Sequence, residues 1–372
     1  MEQFCQDKPI KIAIVGAGPA GVYCALNILF KFRELNFTNF KLTLFDKGQV
    51  LRTILPTGGG RCNLTNSITD VREFASNYPR GEKFLYSLFS RHFNYDSIEF
   101  FEKIGIKTYT QEDGRIFPIS NSAKDVKDKM LSALKQFKNI QLVNKNILSS
   151  EDLKDFDRII LSAGSRHTQN LLKSFNQPFI PFKRALCGLK VKDFKYPQGV
   201  SVKSLDGDFV FTSDGISGPL AFKYSSLNIE EKYPYNISIR LFNPDDLKEL
   251  IKANPKKSIG NLVSAFVPKS LAHVIVDDYD KNSAEISKAK IEQYSTLNLE
   301  ILSLSLQGEI VNAGGVDLKF IDKNCKSKTS ANLWFCGEIL DIDGFCGGFN
   351  LQNCWSSAWV VANDVVSSII NK

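Results

Sequence analysis

Ile10-Lys11-Ile12-Ala13-Ile14-Val15-Gly16-Ala17-Gly18-Pro19-Ala20-Gly21 is the stretch that decides the fold. Its first six residues are a short, largely apolar run with buried-strand character, and a glycine ends it at once. Residues 19–32 then have the length and composition of a helix. Residues 41–46, Lys-Leu-Thr-Leu-Phe-Asp, read as a second strand. Strand, glycine turn, helix and strand within about 35 residues make one βαβ unit, which implies a parallel sheet with a right-handed crossover. The three glycines serve different ends. Gly16 permits the tight turn, Gly18 lets backbone approach a diphosphate, and Gly21 lets the helix pack on the sheet. The free N–H groups at that helix start, with its positive dipole end, favour an anionic diphosphate. Asp46 ends the second strand, placed to accept hydrogen bonds from adenosine ribose hydroxyls. A carboxylate there disfavours a 2′-phosphate, so FAD or NAD is expected over NADP.

Two further glycine clusters lie outward from this unit. Thr57-Gly58-Gly59-Gly60-Arg61-Cys62-Asn63-Leu64-Thr65-Asn66 follows the second strand closely. Three consecutive glycines cost conformational entropy and call for a steric reason, such as close approach to a ligand. Arg61 adds a fixed positive charge, and Asn63 and Asn66 can cap turns or bond a polar ring. The last cluster is Cys336-Gly337-Glu338-Ile339-Leu340-Asp341-Ile342-Asp343-Gly344-Phe345-Cys346-Gly347-Gly348-Phe349-Asn350. Here a buried strand ends and a double glycine opens a final helix, whose N-terminus suits a developing negative charge such as that on a reduced flavin.

The rest of the chain sorts by pattern. Residues 82–104 read as one amphipathic helix and 123–137 as another, while 140–143 and 158–163 read as strands of the same sheet. The character changes near residue 185. Residues 199–211 read as a hairpin turning at Asp206-Gly207, and 236–241 alternate as Ile237, Ile239, Leu241. Residues 245–290 are helical, and a strand at 332–336 and a helix at 351–370 close the chain. The expected architecture is α/β: a Rossmann-like nucleotide-binding domain from 1–185 and 308–372, interrupted by a β-rich insertion at 186–244 and a helical insertion at 245–307.

Composition narrows the function. With 372 residues, 43% hydrophobic and 23% charged, the chain is an ordinary globular protein of two or three units. No apolar run approaches the roughly 18 residues of a membrane span. The acid-containing N-terminus lacks export-signal architecture, so a cytoplasmic location without membrane partners is expected. Eight cysteines without a CxxC pair, and three histidines, argue against a metal site; the cysteines read as small buried hydrophobes. The net charge of +7 is dispersed, as in Lys124-Asp125-Val126-Lys127-Asp128-Lys129. No RNA-recognition motif accompanies it, so a nucleic-acid partner is disfavoured.

Taken together, these blocks resemble the aminoacetone-oxidase-like FAD-binding flavoprotein family, which includes bile-acid-type NAD(P)/FAD-dependent reductases. Asp113-Gly114-Arg115-Ile116-Phe117-Pro118, Phe211-Thr212-Ser213-Asp214-Gly215-Ile216-Ser217-Gly218-Pro219 and Asn312-Ala313-Gly314-Gly315-Val316 extend the likeness over nearly the whole chain. The resemblance implies one FAD held by a doubly wound FAD-binding domain, with β-barrel-like and helical insertions. By position its diphosphate meets Gly16, Gly18 and Gly21, and its ribose meets Asp46. Its flavin would be bordered by Gly58, Gly59, Gly60, Arg61, Cys62 and Asn63, and by Gly337, Glu338, Gly347, Gly348, Phe349 and Asn350. Ala17, Pro19, Ala20, Lys47, Ile147, Ala163, Gly164 and Asp343 complete the expected cofactor contacts. After Ser162-Ala163-Gly164 the family continues with a glycine-rich segment; this chain runs instead through Ser165-Arg166-His167.

The function expected is therefore an FAD-dependent oxidoreductase moving hydride through flavin to or from a small organic substrate, with NAD(P)H as the candidate electron donor. The alternatives are an oxygen-using amine oxidase of the aminoacetone type and a non-catalytic flavin-binding partner protein. No catalytic side chain is assigned. His167, Cys62 and Cys346 are the side chains whose substitution would test for acid–base or thiol chemistry.

Overall fold

The computed structural model describes residues 8–165, 168–305 and 311–371. Two compact units emerge, Met1–Lys183 with Asn312–Lys372 and Arg184–Val311.

The first unit is built on a five-stranded parallel sheet. Its order is Leu333–Phe335, Arg158–Leu161, Ile10–Val15, Phe40–Asp46 and Ile140–Asn144. Ile10–Val15 lies in the middle, and its residues from Ile12 onward are buried, as a strand covered on both faces requires. Helix Pro19–Glu34 follows the glycine turn and packs extensively on the C-terminal helix Phe349–Ile370. That last helix is buried around most of its circumference, with Trp355 fully inside. Chain ends thus share one core: the strand at 333–335 completes the sheet that residue 10 began. The architecture is the doubly wound, Rossmann-like α/β fold that the glycine turn implied.

Residues 82–104 do not form one helix. Glu82–Phe89 and Asn94–Lys103 are separate, divided where Phe93 takes an extended backbone and its N–H donates to the Asp96 carboxylate at 2.6 Å. The second helix is thereby capped by an acid at its third position, which a search for a Ser or Thr cap overlooks. A three-stranded antiparallel sheet is a further feature that the sequence pattern does not announce. It orders Thr65–Asn66, Arg115–Pro118 and Thr108–Thr110, and pairs Thr65 with Ile116 and Asn66 with Arg115. Its strands are too short to show alternation.

The second unit holds a six-stranded antiparallel sheet. Its order is Ser201–Val202, Phe209–Phe211, Gly215–Ser217, Leu189–Val191, Thr296–Leu304 and Tyr235–Arg240. Ser201–Val202 and Phe209–Phe211 form the hairpin expected around Asp206-Gly207. Ile237 and Ile239 face inward on Tyr235–Arg240. The helices between Pro244 and Tyr294 share a core with this sheet, through Leu247, Ile259, Leu262 and Leu271 beside Leu297 and Leu299.

Candidate nucleotide site

The three glycines of the first turn differ in what surrounds them. A Cβ on Gly16 would lie 2.5 Å from the Ser162 carbonyl oxygen and 2.6 Å from the Ala163 Cα, and its φ is +102°. A Cβ on Gly21 would lie 1.9 Å from the Gly16 oxygen and 2.6 Å from the Ser162 hydroxyl. Protein packing therefore demands glycine at both. Gly18 is different: its Cβ would meet only the Thr53 hydroxyl, at an ordinary 3.6 Å, and its φ is −77°. No steric contact among the described residues requires glycine there.

Gly18 is also the N-cap of helix Pro19–Glu34, which has no side-chain cap and no acidic residue in its first turn. Elsewhere Asp70, Ser122, Asn243 and Ser287 cap helix starts with their side chains. An uncapped start leaves N–H groups for another acceptor. Asp46 stands beside it. Its carboxylate accepts the Ala17 N–H at 2.7 Å and the Gly48 N–H at 2.8 Å, which fixes the turn between the second strand and the glycine loop. Lys47 is exposed next to it. Ala163 abuts Gly16, Gly164 lies 4.0 Å from a Glu338 oxygen by its missing Cβ, and Gly337 approaches Ala20. Residues 16–21, 46–48, 51–53, 162–164 and 337–338, distant from one another in sequence, thus border one helix start.

The triple-glycine loop forms a second cluster with residues 344–350. Gly58 and Gly59 both have positive φ, and a Cβ on Gly58 would strike the Asn63 N and the Phe117 ring at 2.8 Å. Gly59 has open space before it, a Cβ on Gly60 would meet the Leu55 carbonyl oxygen at 3.9 Å, and both residues are exposed. Asn63 is buried, and its amide accepts the Gly348 N–H at 2.9 Å while donating to the Thr65 and Ile116 carbonyls. Gly348, at φ +94°, passes so near the Thr65 backbone that a Cβ would lie 2.4 Å from its oxygen. Asn66 donates to the Gly347 carbonyl at 3.1 Å. Helix Phe349–Ile370 again starts without a side-chain cap or early acid. Phe349 is buried against Phe74 and Tyr78, and the Asn350 amide clasps both the N–H and the carbonyl of Gly344.

Several expected contacts sit inside the protein. Cys62 is fully buried, and burial pushes its thiol up to about 12, with a Thr57 hydrogen bond opposing, so it stays protonated. Ile147 is a core residue. Asp343 is completely buried in a bidentate ion pair with Arg80. Cys346 is exposed on the last glycine loop, whereas Cys24, Cys62, Cys187, Cys325, Cys336 and Cys354 are buried. His167 lies outside the described residues. Among the described residues no group of His, Cys, Asp and Glu is placed to hold a metal ion, and no helix is long and apolar enough to cross a membrane.

Sequence reasoning missed Thr53, which faces Gly18, and Arg115, which sits opposite Asn66 in the small sheet. It also gave no role to Asp341. That half-buried carboxylate accepts the Gly314 N–H at 3.1 Å, and burial holds it above the usual range while Arg80 opposes. Only the Asp-x-Asp spacing of 341 and 343 hinted at it.

Comparison with known proteins agrees with this geometry at the level of the fold. A ribosomal RNA dihydrouridine synthase of Haemophilus influenzae is 25% identical over 94% of this chain and 96% of its own length. The Escherichia coli protein of the same name is 24% identical over 95% and 98%. A 3-dehydro-bile acid delta(4,6)-reductase of Clostridium scindens is 23% identical over 94% and 97%. The HI0933-like protein Rossmann domain matches residues 10–364, and the chain belongs to that family.

Proposed function

We propose that the chain is an FAD-dependent reductase that saturates a carbon–carbon double bond activated by a neighbouring carbonyl, with NAD(P)H as electron donor. The observation that carries the nucleotide half is Gly18: a glycine with no steric reason in the protein, at an uncapped helix start beside a carboxylate. A diphosphate seated there would take the first-turn N–H groups, and each Asp46 oxygen keeps a lone pair for a ribose hydroxyl. Bound flavin would supply the hydride chemistry. The chain's own part is to bind and orient: Asn63 and Asn66 hold the 347–348 backbone, and the open face of Gly59 leaves room for a ring to approach. The reductive direction is supported by the relatives' names. One describes conversion of a uridine to its dihydro form, the other reduction of a delta(4,6)-unsaturated 3-dehydro compound.

The test is direct. Purified protein should carry FAD, identified after release by chromatography, and NADH or NADPH should bleach it without oxygen. A conjugated dienone steroid acid should then restore the oxidised spectrum and lose its own absorbance. Absence of flavin, with none bound on addition, sinks the proposal. Oxygen consumption with aminoacetone, and no reoxidation by the dienone, would make it an amine oxidase instead.

A second reading takes ribosomal RNA as substrate. The two synthase relatives that span 94–95% of the chain favour it, and a +7 charge suits a phosphate backbone. Incubating unmodified ribosomal RNA with protein and NADPH, then measuring dihydrouridine by mass spectrometry, decides between the two.

A further inference from the structure

We propose that Arg61 and Arg115, both carried on the ring of Phe117, form the seat for an anionic oxygen group of the substrate, a carboxylate or a phosphate. The inference rests on the reductase reading above and adds a substrate class to it. The Arg61 guanidinium carbon stands 4.2 Å from the Phe117 ring centroid and that of Arg115 stands 5.6 Å away. Stacking on a ring holds a guanidinium in place while its N–H edge remains free to form a two-pronged bond to a carboxylate or phosphate.

The two arginines are not equivalent. Arg115 has an acid partner, donating to Asp113 from Nε at 2.8 Å and pairing with it through Nη2 at 2.6 Å. Arg61 has none among the described residues. Only its Nε is used, on the Gly58 carbonyl at 3.2 Å, and the residue is half-buried. One carbonyl and a ring face replace only part of the hydration that a half-buried cation loses, and an arriving anion would complete it.

Position says which anion. Phe117 lies under Gly58, and Arg115 lies across the strand pair from Asn66, which holds Gly347. The pair therefore belongs to the cluster formed by loops 58–63 and 344–350. The cofactor's diphosphate already has a seat at Gly18 in the proposed function.

The experiment uses the full chain loaded with FAD and measures binding by calorimetry with two matched probe pairs. These are uridine monophosphate against uridine, and cinnamate against cinnamamide. The charged member should bind about tenfold more tightly than the neutral one, the usual worth of a charge-assisted bond. Arg61→Gln should remove that preference, Arg115→Gln should weaken it, and Arg61→Lys should keep only part of it because the fork is lost. A preference confined to the phosphate pair points to a nucleotide source, and one confined to the carboxylate pair to an organic acid. Equal binding of charged and neutral probes overturns the proposal, as does an unchanged preference in Arg61→Gln. Loss of FAD from Arg61→Gln with probe binding intact also overturns it, because the arginine would then serve the cofactor. Flavin content is scored separately by absorbance; a chain that binds no FAD defeats the reductase reading, and the probe comparison is then made on the flavin-free chain. Should Arg61→Gln fail to fold, Arg61→Lys and Arg115→Gln carry the same test.

Discussion

Replacing Gly18 by alanine should separate ligand binding from folding, because the three glycines of the turn have different reasons to exist. At Gly18 the new methyl meets nothing closer than the Thr53 hydroxyl at 3.6 Å, and the φ of −77° suits any residue. Restricting the unfolded chain gains about 0.4–1 kcal/mol, and the poorer N-cap gives back a similar amount. The folded chain should therefore melt within about 2 °C of the parent. FAD affinity should fall, because the methyl would occupy the space into which a diphosphate oxygen must come. Loss of one charge-assisted hydrogen bond is worth about 1.5–3 kcal/mol, or roughly 10- to 150-fold in Kd. Gly16→Ala should behave in the opposite way. Its φ of +102° costs about 1–2 kcal/mol, and a Cβ 2.5 Å from the Ser162 oxygen adds about 1–3 kcal/mol of overpacking. At about 2–4 °C per kcal/mol, melting should drop by roughly 4–20 °C. The assay is calorimetric melting of the flavin-free chain beside FAD titration followed by fluorescence quenching. Undiminished FAD affinity in Gly18→Ala would refute the reasoning, and so would a melting loss equal to that of Gly16→Ala.

Three other perturbations test the surrounding structure. Arg80→Ala removes the guanidinium paired with the fully buried Asp343 carboxylate and should cost about 3–5 kcal/mol in urea denaturation, whereas a loss below about 1 kcal/mol would mean that water or other partners compensate. His92 is buried and shares a hydrogen bond with Tyr23 at 2.9 Å; burial lowers it from 6.5 to about 4, with Asp96 opposing. A base depressed in this way is neutral in the fold, so its stabilising share is full above pH 6.5 and is lost as pH falls toward about 4, on the order of 3 kcal/mol in all. His92→Gln should flatten that part of the stability–pH curve, and an unchanged slope would show that other groups set it. Gln352 bonds Thr65 at 2.7 Å, Ser356 at 2.9 Å and Ser97 at 3.0 Å, all buried, so Gln352→Ala should cost about 3 kcal/mol by leaving partners unsatisfied. If guanidinium unfolding shows no shift in midpoint, that network is not stabilising.

The glycine turn was legible because its requirements are local and steric. Gly16 and Gly21 meet atoms of the same βαβ unit or the adjoining strand, and a motif records such contacts as fixed spacing. The alternation of Ile237 and Ile239 was legible for the same reason, since one strand face is buried. Thr296–Leu304 is a strand although it falls inside the segment read as a helical insertion, and it alternates well. It follows a helical stretch, and its partners, Leu189–Val191 and Tyr235–Arg240, lie far back in the chain. Thr65–Asn66 spans two residues and has no pattern at all. Arg115 and Asp341 took their significance from neighbours distant in sequence: Phe117's second stacked cation at Arg61, and Arg80 beside Asp343. A charge with its partner elsewhere in the chain looks like any surface charge until the fold is known.

The same contrast explains how loops so rich in glycine are held. Gly58, Gly59, Gly60, Gly347 and Gly348 all have positive φ, and each loses more backbone freedom on ordering than any other residue would. Disorder in the absence of a ligand would be the cheap outcome. The chain opposes it with buried polar bonds that reach both loops. Asn63 ties the first loop to the Gly348 N–H, Asn66 holds the Gly347 carbonyl, and Trp355 donates to the Leu64 carbonyl at 2.8 Å. Thr65 bonds Gln352, which in turn reaches Ser97 on helix Asn94–Lys103. Each bond contributes about 1 kcal/mol net, but its loss inside the protein costs more, so the set acts together to exclude alternative loop positions. The two loops are therefore set in place by the helix that follows the second of them, and a ligand entering between them need not supply the ordering entropy itself.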